Sequence, residues 1–391
     1  MEPNSGSSTL TQTDYSSSAE LHVERQAQAK RYARMKRYLM LADLAVGALY
    51  MIAALATGFS VWLKGWVEGT NSSPWWVDGA YMVVFFAVYS LLILPFNILG
   101  GYVWPHRFGL SRQSPRAWVW DHVKGLLLGA VLGLIFIDII YWLMRAAPAT
   151  WWLWASLFYL FFTVILSNLA PLIIVPLFFK LQPLDNPELV DRLLGLARKA
   201  GARVTGVYKM DLSAKTSEAN AALMGLGNTR RIVLGDTMLT DYSPDEIETV
   251  LAHELGHQVH GDIHKGIALA TGVSLGGLWL ASLALSWAVG VFRFDGVADV
   301  AGLPVLMILL GVFGLVTMPL TNGYSRWREH LADGYALEIT GKPRSFASAM
   351  TRLANQNLAE AEPERWVEVL LYDHPAIHRR VAMAREFKPR R

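Results

Sequence analysis

Three residues carry the first chemical signal. His253 and His257 stand four apart in the run His253-Glu254-Leu255-Gly256-His257. On a helix that spacing puts both imidazoles on one face, able to share one ion, with Glu254 beside them. The spacing suits a single zinc ion. Zinc lowers the pKa of a bound water, and the Glu254 carboxylate is placed to take that water's proton and pass it to a leaving amine. Such chemistry cleaves peptide bonds. The chain has no cysteine, so any metal must be held by His, Asp or Glu.

A third ligand has two sources. His260 and His264 continue the histidine stripe. The extended HExxHxxGxxH pattern is nevertheless not met, because Gly261 and His264 each come one place too late. The second source is the downstream run S-R-W-R-E-H-L-A-D, where Glu329 and Asp333 share a helical face. Topology favours Glu329. The two apolar runs between the motifs form a hairpin, which returns Glu329 to the membrane face where the histidines begin.

Those runs belong to a chain that is 53% hydrophobic and only 17% charged, with 15 tryptophans. The composition points to the bilayer, with ring pairs such as Trp75–Trp76 and Trp151–Trp152 at its interfaces. Spans are predicted near Tyr38–Leu63, Ala80–Val103, His122–Leu143, Trp151–Phe179, Gly266–Phe292 and Leu303–Leu320. Asn168 and Pro171 interrupt the fourth, so the count is six or seven. The fold class is a mainly α, polytopic membrane protein carrying a small α+β, zincin-like protease domain. The net charge of +3 is scattered and gives no case for nucleic acid.

The predicted organisation is a polar tail over 1–37, spans over 38–180, a protease domain over 181–265 that includes the histidines, a hairpin over 266–320 and a third-ligand segment over 321–391. Basic residues from Arg25 to Arg37 and at Arg107, Arg112 and Arg116 place the N-terminus, the protease domain and the C-terminus in the cytoplasm. A helix is expected over Pro187–Gly201, with short strands at Val204–Leu212 and Arg231–Leu234 separated by a turn region. Ser243, Pro244 and Glu246 predict a capped helix start. That helix is expected to run through the histidines toward the fifth span.

Together the motifs resemble the type I CAAX prenyl proteases and the related HtpX-like membrane proteases. The resemblance covers about residues 40–385. It includes FGLSRQS at Phe108–Ser114, APLIIVPLF at Ala170–Phe178, NAALMGLGNTRRIVLGDTML at Asn220–Leu239 and DHPAIHRR at Asp373–Arg380. FGLSRQS and the C-terminal motif are closer to the CAAX branch. The resemblance implies zinc on His253, His257 and Glu329, Glu254 as base and Asp333 as a supporting acid. Asn220, His374 and Arg380 would position substrate or stabilise the transition state.

It further implies a ring of membrane helices around a water-filled chamber and a polypeptide substrate added as a strand, for which Arg231–Leu234 is the expected edge. The polar N-terminal extension, compact loops and absent cysteines point to a bacterial inner-membrane protein. The substrate is then either a prenylated or membrane-bound tail, or misfolded membrane protein in HtpX-like quality control. The rival from a different class is a non-enzymatic transporter or scaffold whose histidine stripe merely binds metal.

Overall fold

The computed structural model describes residues 20–225 and 227–388. The expected polar tail up to residue 19 and the final basic residues 389–391 lie outside them.

Among the described residues six helices are long and apolar enough to cross a membrane. The first, α1 (Val23–Ala56), begins well before the predicted span and takes Arg25 to Arg37 into its opening turns. A short α2 (Phe59–Glu68) leads to α3 (Pro74–Ile98), which passes through a widened π turn into α4 (Trp104–Arg107). Then come α5 (Pro115–Ala146) and α6 (Trp151–Leu169), the latter joined by a π turn at Ala170–Ile174 to α7 (Val175–Phe178). Pro171, which lacks a backbone N–H, sits in that turn, so the fourth run bends without dividing into two spans.

Burial along α3, α5 and α6 is confined to one end of each. In α5 the buried residues are Ile140, Tyr141 and Met144, and in α6 Trp151, Ala155 and Ser156. They join Leu63, Tyr81 and Phe85 in one core, closed by Ala281, Leu285 and Leu303. Polar staples support that end: Arg145 Nη1 donates to Asp78 Oδ2 at 2.6 Å, and Lys64 Nζ to Asp299 Oδ2 at 2.9 Å. Along the rest of α3, α5 and α6 the described side chains are exposed or only partly buried.

A second core lies at the other end of the molecule. The strands are β1 (Leu181–Pro183), β2 (Val207–Met210), β3 (Ala221–Met224) and β4 (Arg231–Gly235), with α8 (Pro187–Lys199) between β1 and β2. The sheet order is β1-β2-β4-β3, with β2 and β4 parallel and the other pairs antiparallel. This corrects the expected substrate edge. β4 is hydrogen-bonded on both sides, and the edges of the sheet are β1 and β3, the latter in the stretch read as a turn. Its Ala-Ala-Leu-Met sequence has no β-branched residue and gives little strand signal.

After β4 come α9 (Asp236–Asp241) and α10 (Pro244–Val259), which carries the histidines. The hairpin follows as α11 (Asp262–Phe292) and α12 (Leu303–Thr340), then α13 (Pro343–Gln356), α14 (Arg365–Leu371) and α15 (Ile377–Glu386). The expected continuous helix from α10 into the fifth span is not formed. Gly261, at φ +66°, takes the left-handed conformation that only glycine enters freely, and the chain turns there.

Candidate metal centre

The start of α10 is fixed from both directions. Ser243 Oγ accepts from Glu246 N at 3.3 Å, and Glu246 Oε2 accepts from Ser243 N at 2.8 Å, forming the predicted capping box. The other oxygen of Glu246 takes bonds from Ser348 Oγ at 2.6 Å and Arg352 Nε at 2.8 Å, tying α10 to α13. Ile247, Val250, Leu251 and Leu255 turn into the core.

Gly256 then sets the approach of α12. A Cβ built on it would lie 2.9 Å from Ala332 Cα, so the two helices meet backbone to backbone. Glu329 sits three residues before that contact, about one helical turn, and therefore reaches the histidines.

The donor atoms converge. Glu329 Oε2 lies 3.2 Å from His253 Nε2, and Glu329 Oε1 lies 3.2 Å from His257 Nε2. The two Nε2 atoms are themselves 3.2 Å apart. Ligands about 2.05 Å from a tetrahedral ion are separated by about 3.3 Å, close to the spacing of the two Nε2 atoms and of each from its nearer Glu329 oxygen. Glu329 Oε2 is buried without a hydrogen-bond partner, a costly arrangement that a cation relieves. The residues fit the metal. His260 and His264 are outside the group; the His260 ring packs edge-on against Tyr335 instead. The stripe that a passive metal binder would use is thereby broken.

Each histidine is oriented by its own carboxylate. His253 Nδ1 lies 2.8 Å from Asp333 Oδ1, and His257 Nδ1 donates to Asp262 Oδ2 at 2.8 Å, which turns both Nε2 atoms toward Glu329. Each carboxylate is in turn gripped by an arginine. Arg380 reaches Asp333 through Nη2 at 2.6 Å and Nε at 2.9 Å, and Arg328 Nε reaches Asp262 at 2.6 Å.

Burial opposes protonation of His253, yet Asp333 and Glu329 outweigh it and push its pKa up to about 9. His257 is raised likewise, against the effect of burial, by Glu329 and Asp262. An incoming metal must therefore displace a proton from His253.

The remaining sequence-predicted residues surround this group. Glu254, on the same helix, is partly buried and forms no ion pair among the described residues. His374 is half-exposed, with Nε2 3.3 Å from Glu329 Oε1 and Nδ1 2.8 Å from Asp373 Oδ1. Asp373 raises its pKa, against burial. Arg380 is buried and committed to Asp333. Asn220 is exposed just before β3, where its carbonyl accepts from Gly235 N at 2.8 Å.

Asp262 and Arg328 were not among the predicted site residues. Neither gave a sequence signal: Asp262 meets His257 only through the turn at Gly261, and the burial of Arg328 is a product of the fold.

Two family profiles cover nearly the whole chain: the one described as CAAX prenyl protease N-terminal, five membrane helices, over residues 13–180, and that of peptidase family M48 over residues 183–388. The Bacillus subtilis protein called uncharacterized metalloprotease YhfN is 29% identical over 92% of this chain and 85% of its own length. The probable CAAX prenyl protease 1 of Schizosaccharomyces pombe is 26% identical over 73% of this chain, which spans 61% of that relative. Among solved structures, S. mikatae Ste24p superimposes with a TM-score of 0.84 over 96% of this chain and 93% of its own, at 21% identity, a likeness of fold.

Proposed function

Since the chain belongs to peptidase family M48 and is a multi-pass membrane metalloendopeptidase, we propose that it uses one zinc ion to cleave C-terminal tails of lipidated or membrane-associated proteins. The observation that carries this reading is the triangle of His253, His257 and Glu329 donors, each histidine backed by an Asp–Arg pair. Relatives named CAAX prenyl proteases support the substrate class.

In this mechanism His253, His257 and Glu329 hold the zinc, which when bound polarises the scissile carbonyl and acidifies a water. Glu254 accepts that water's proton and returns it to the leaving amine. His374, whose protonated form Asp373 favours, donates toward the oxyanion. Arg380 holds Asp333, and through it His253, while adding positive charge on that side of the site. Asn220 and the free edge of β3 bind the substrate backbone, giving affinity without strong side-chain preference. The basic flanks orient the site, with both termini, toward the cytoplasm of a bacterial inner membrane.

Cleavage of a farnesylated C-terminal peptide and of casein tests the proposal. The zinc-loaded parent should cleave the peptide, and Glu254→Gln should lose about 10²- to 10⁴-fold in rate while keeping zinc. A zinc-free parent, or a variant as fast as the parent, would contradict it. Casein cleaved in preference to the peptide would favour general quality control of membrane proteins.

A further inference from the structure

A cavity of about 510 Å³ opens beside the metal centre, between α1 and the chain running from α13 into α15. His374 is part of its wall, and that imidazole lies 3.3 Å from Glu329, so the cavity starts at the metal ligands. Its volume is in the range of small-molecule pockets and admits a tail of a few residues.

The sheet gives the cavity a direction. Glu218 and Asn357 line it, and Asn357 grips the backbone of Ala219 at both groups, at 2.8 Å and 2.9 Å. The cavity thus lies off the N-terminal end of β3. A polypeptide on the free edge of β3 pairs best antiparallel, as β4 does on the other side. Such a chain runs from the Met224 end toward the Ala221 end, so the part entering the cavity lies C-terminal to the scissile bond.

Charge points the same way. On the α1 wall, Arg37 is paired with Glu360 Oε2 at 3.2 Å. Asp373 is engaged with His374. Among the described residues Lys36 has no carboxylate within the 4.0 Å of an ion pair, and its ammonium rests over the Tyr32 ring at 5.4 Å. Glu218 is the remaining acid on the wall; burial pushes its carboxyl above the usual range, against the pull of Lys36. An unpaired ammonium suits a carboxylate and repels an amino terminus.

We infer that this cavity receives the C-terminal leaving peptide and that Lys36 binds its terminal carboxylate. The inference rests on the proteolytic reading above and adds the residue that measures where the substrate ends.

The test uses the full-length, zinc-loaded protein and two peptides of one sequence, ending in a free carboxylate or a carboxamide. The parent should prefer the carboxylate by about tenfold in kcat/KM, chiefly through KM. Lys36→Gln should bring the ratio near one, and Lys36→Arg should keep most of it. Equal cleavage of the two peptides by the parent, or an unchanged ratio in Lys36→Gln, overturns this inference alone. Cleavage of neither removes the proteolytic reading and this inference with it.

Discussion

His253 and His257 act as a pair because of what stands behind them. Each ring is fixed by a carboxylate, and each carboxylate by an arginine, so both Nε2 atoms are aimed before any metal arrives. Loss of such backing typically lowers metal affinity 10- to 100-fold. Asp262→Asn and Arg328→Met should each weaken zinc binding by about that factor in a chelator competition titration; parental affinity would show that the His257 ring is held by something else. The clustering of His253, His257 and Glu329 was legible from sequence because His253, Glu254 and His257 form a local helical pattern and Glu329 follows from the hairpin. Asp262 was not, since it reaches His257 only through the left-handed turn at Gly261, which no periodicity reveals. Arg328 gave no sign either, as an arginine beside a membrane span ordinarily faces water.

Among the elements, the meeting of α10 and α12 decides whether there is a site at all. Gly256 leaves no room for a methyl group against Ala332. Gly256→Ala should cost about 1–3 kcal/mol by overpacking and displace Glu329. Thermal unfolding and zinc content should fall together, and a variant with parental values of both would contradict the contact. The sheet is anchored separately. Burial opposes ionisation of Asp236, but the Ser213 hydroxyl and the backbone N–H groups of Ser213, Leu212 and Thr237 outweigh it and hold its pKa below the usual range. A depressed folded-state pKa contributes stability above about pH 3.9 that is lost as the pH falls through the folded value. Asp236→Asn should therefore unfold at a lower temperature than the parent at pH 7, with the gap closing below about pH 4. A gap independent of pH would show that the carboxylate charge is not what matters. The capped start of α10 was legible because its signals are local. β3 was not, because its strand state comes from pairing with β4 and not from its own Ala-Ala-Leu-Met sequence.

At the scale of the molecule, two cores sit at opposite ends of the long helices, and the metal centre belongs to the one built around the sheet. Hydropathy made the six spans legible, since apolar length is a property of the segment alone. The extent of α1 was less so, as its polar opening turns are helical by docking onto the C-terminal region, with Arg25 bonded to the carbonyls of Asn355 and Gln356. The chain has no cysteine, so single-cysteine labelling is free of background. In inside-out bacterial membrane vesicles a cysteine at exposed Glu362 should react with an impermeant maleimide and one at exposed Asn71 should not; the opposite pattern would reverse the orientation. The central claim is that the fold carries Glu329 across a membrane hairpin to complete the site. Metal analysis of purified protein tests it most directly: the parent and His264→Ala should each hold one zinc per chain, and Glu329→Ala should hold little or none. Zinc retained by Glu329→Ala and lost from His264→Ala would contradict the account.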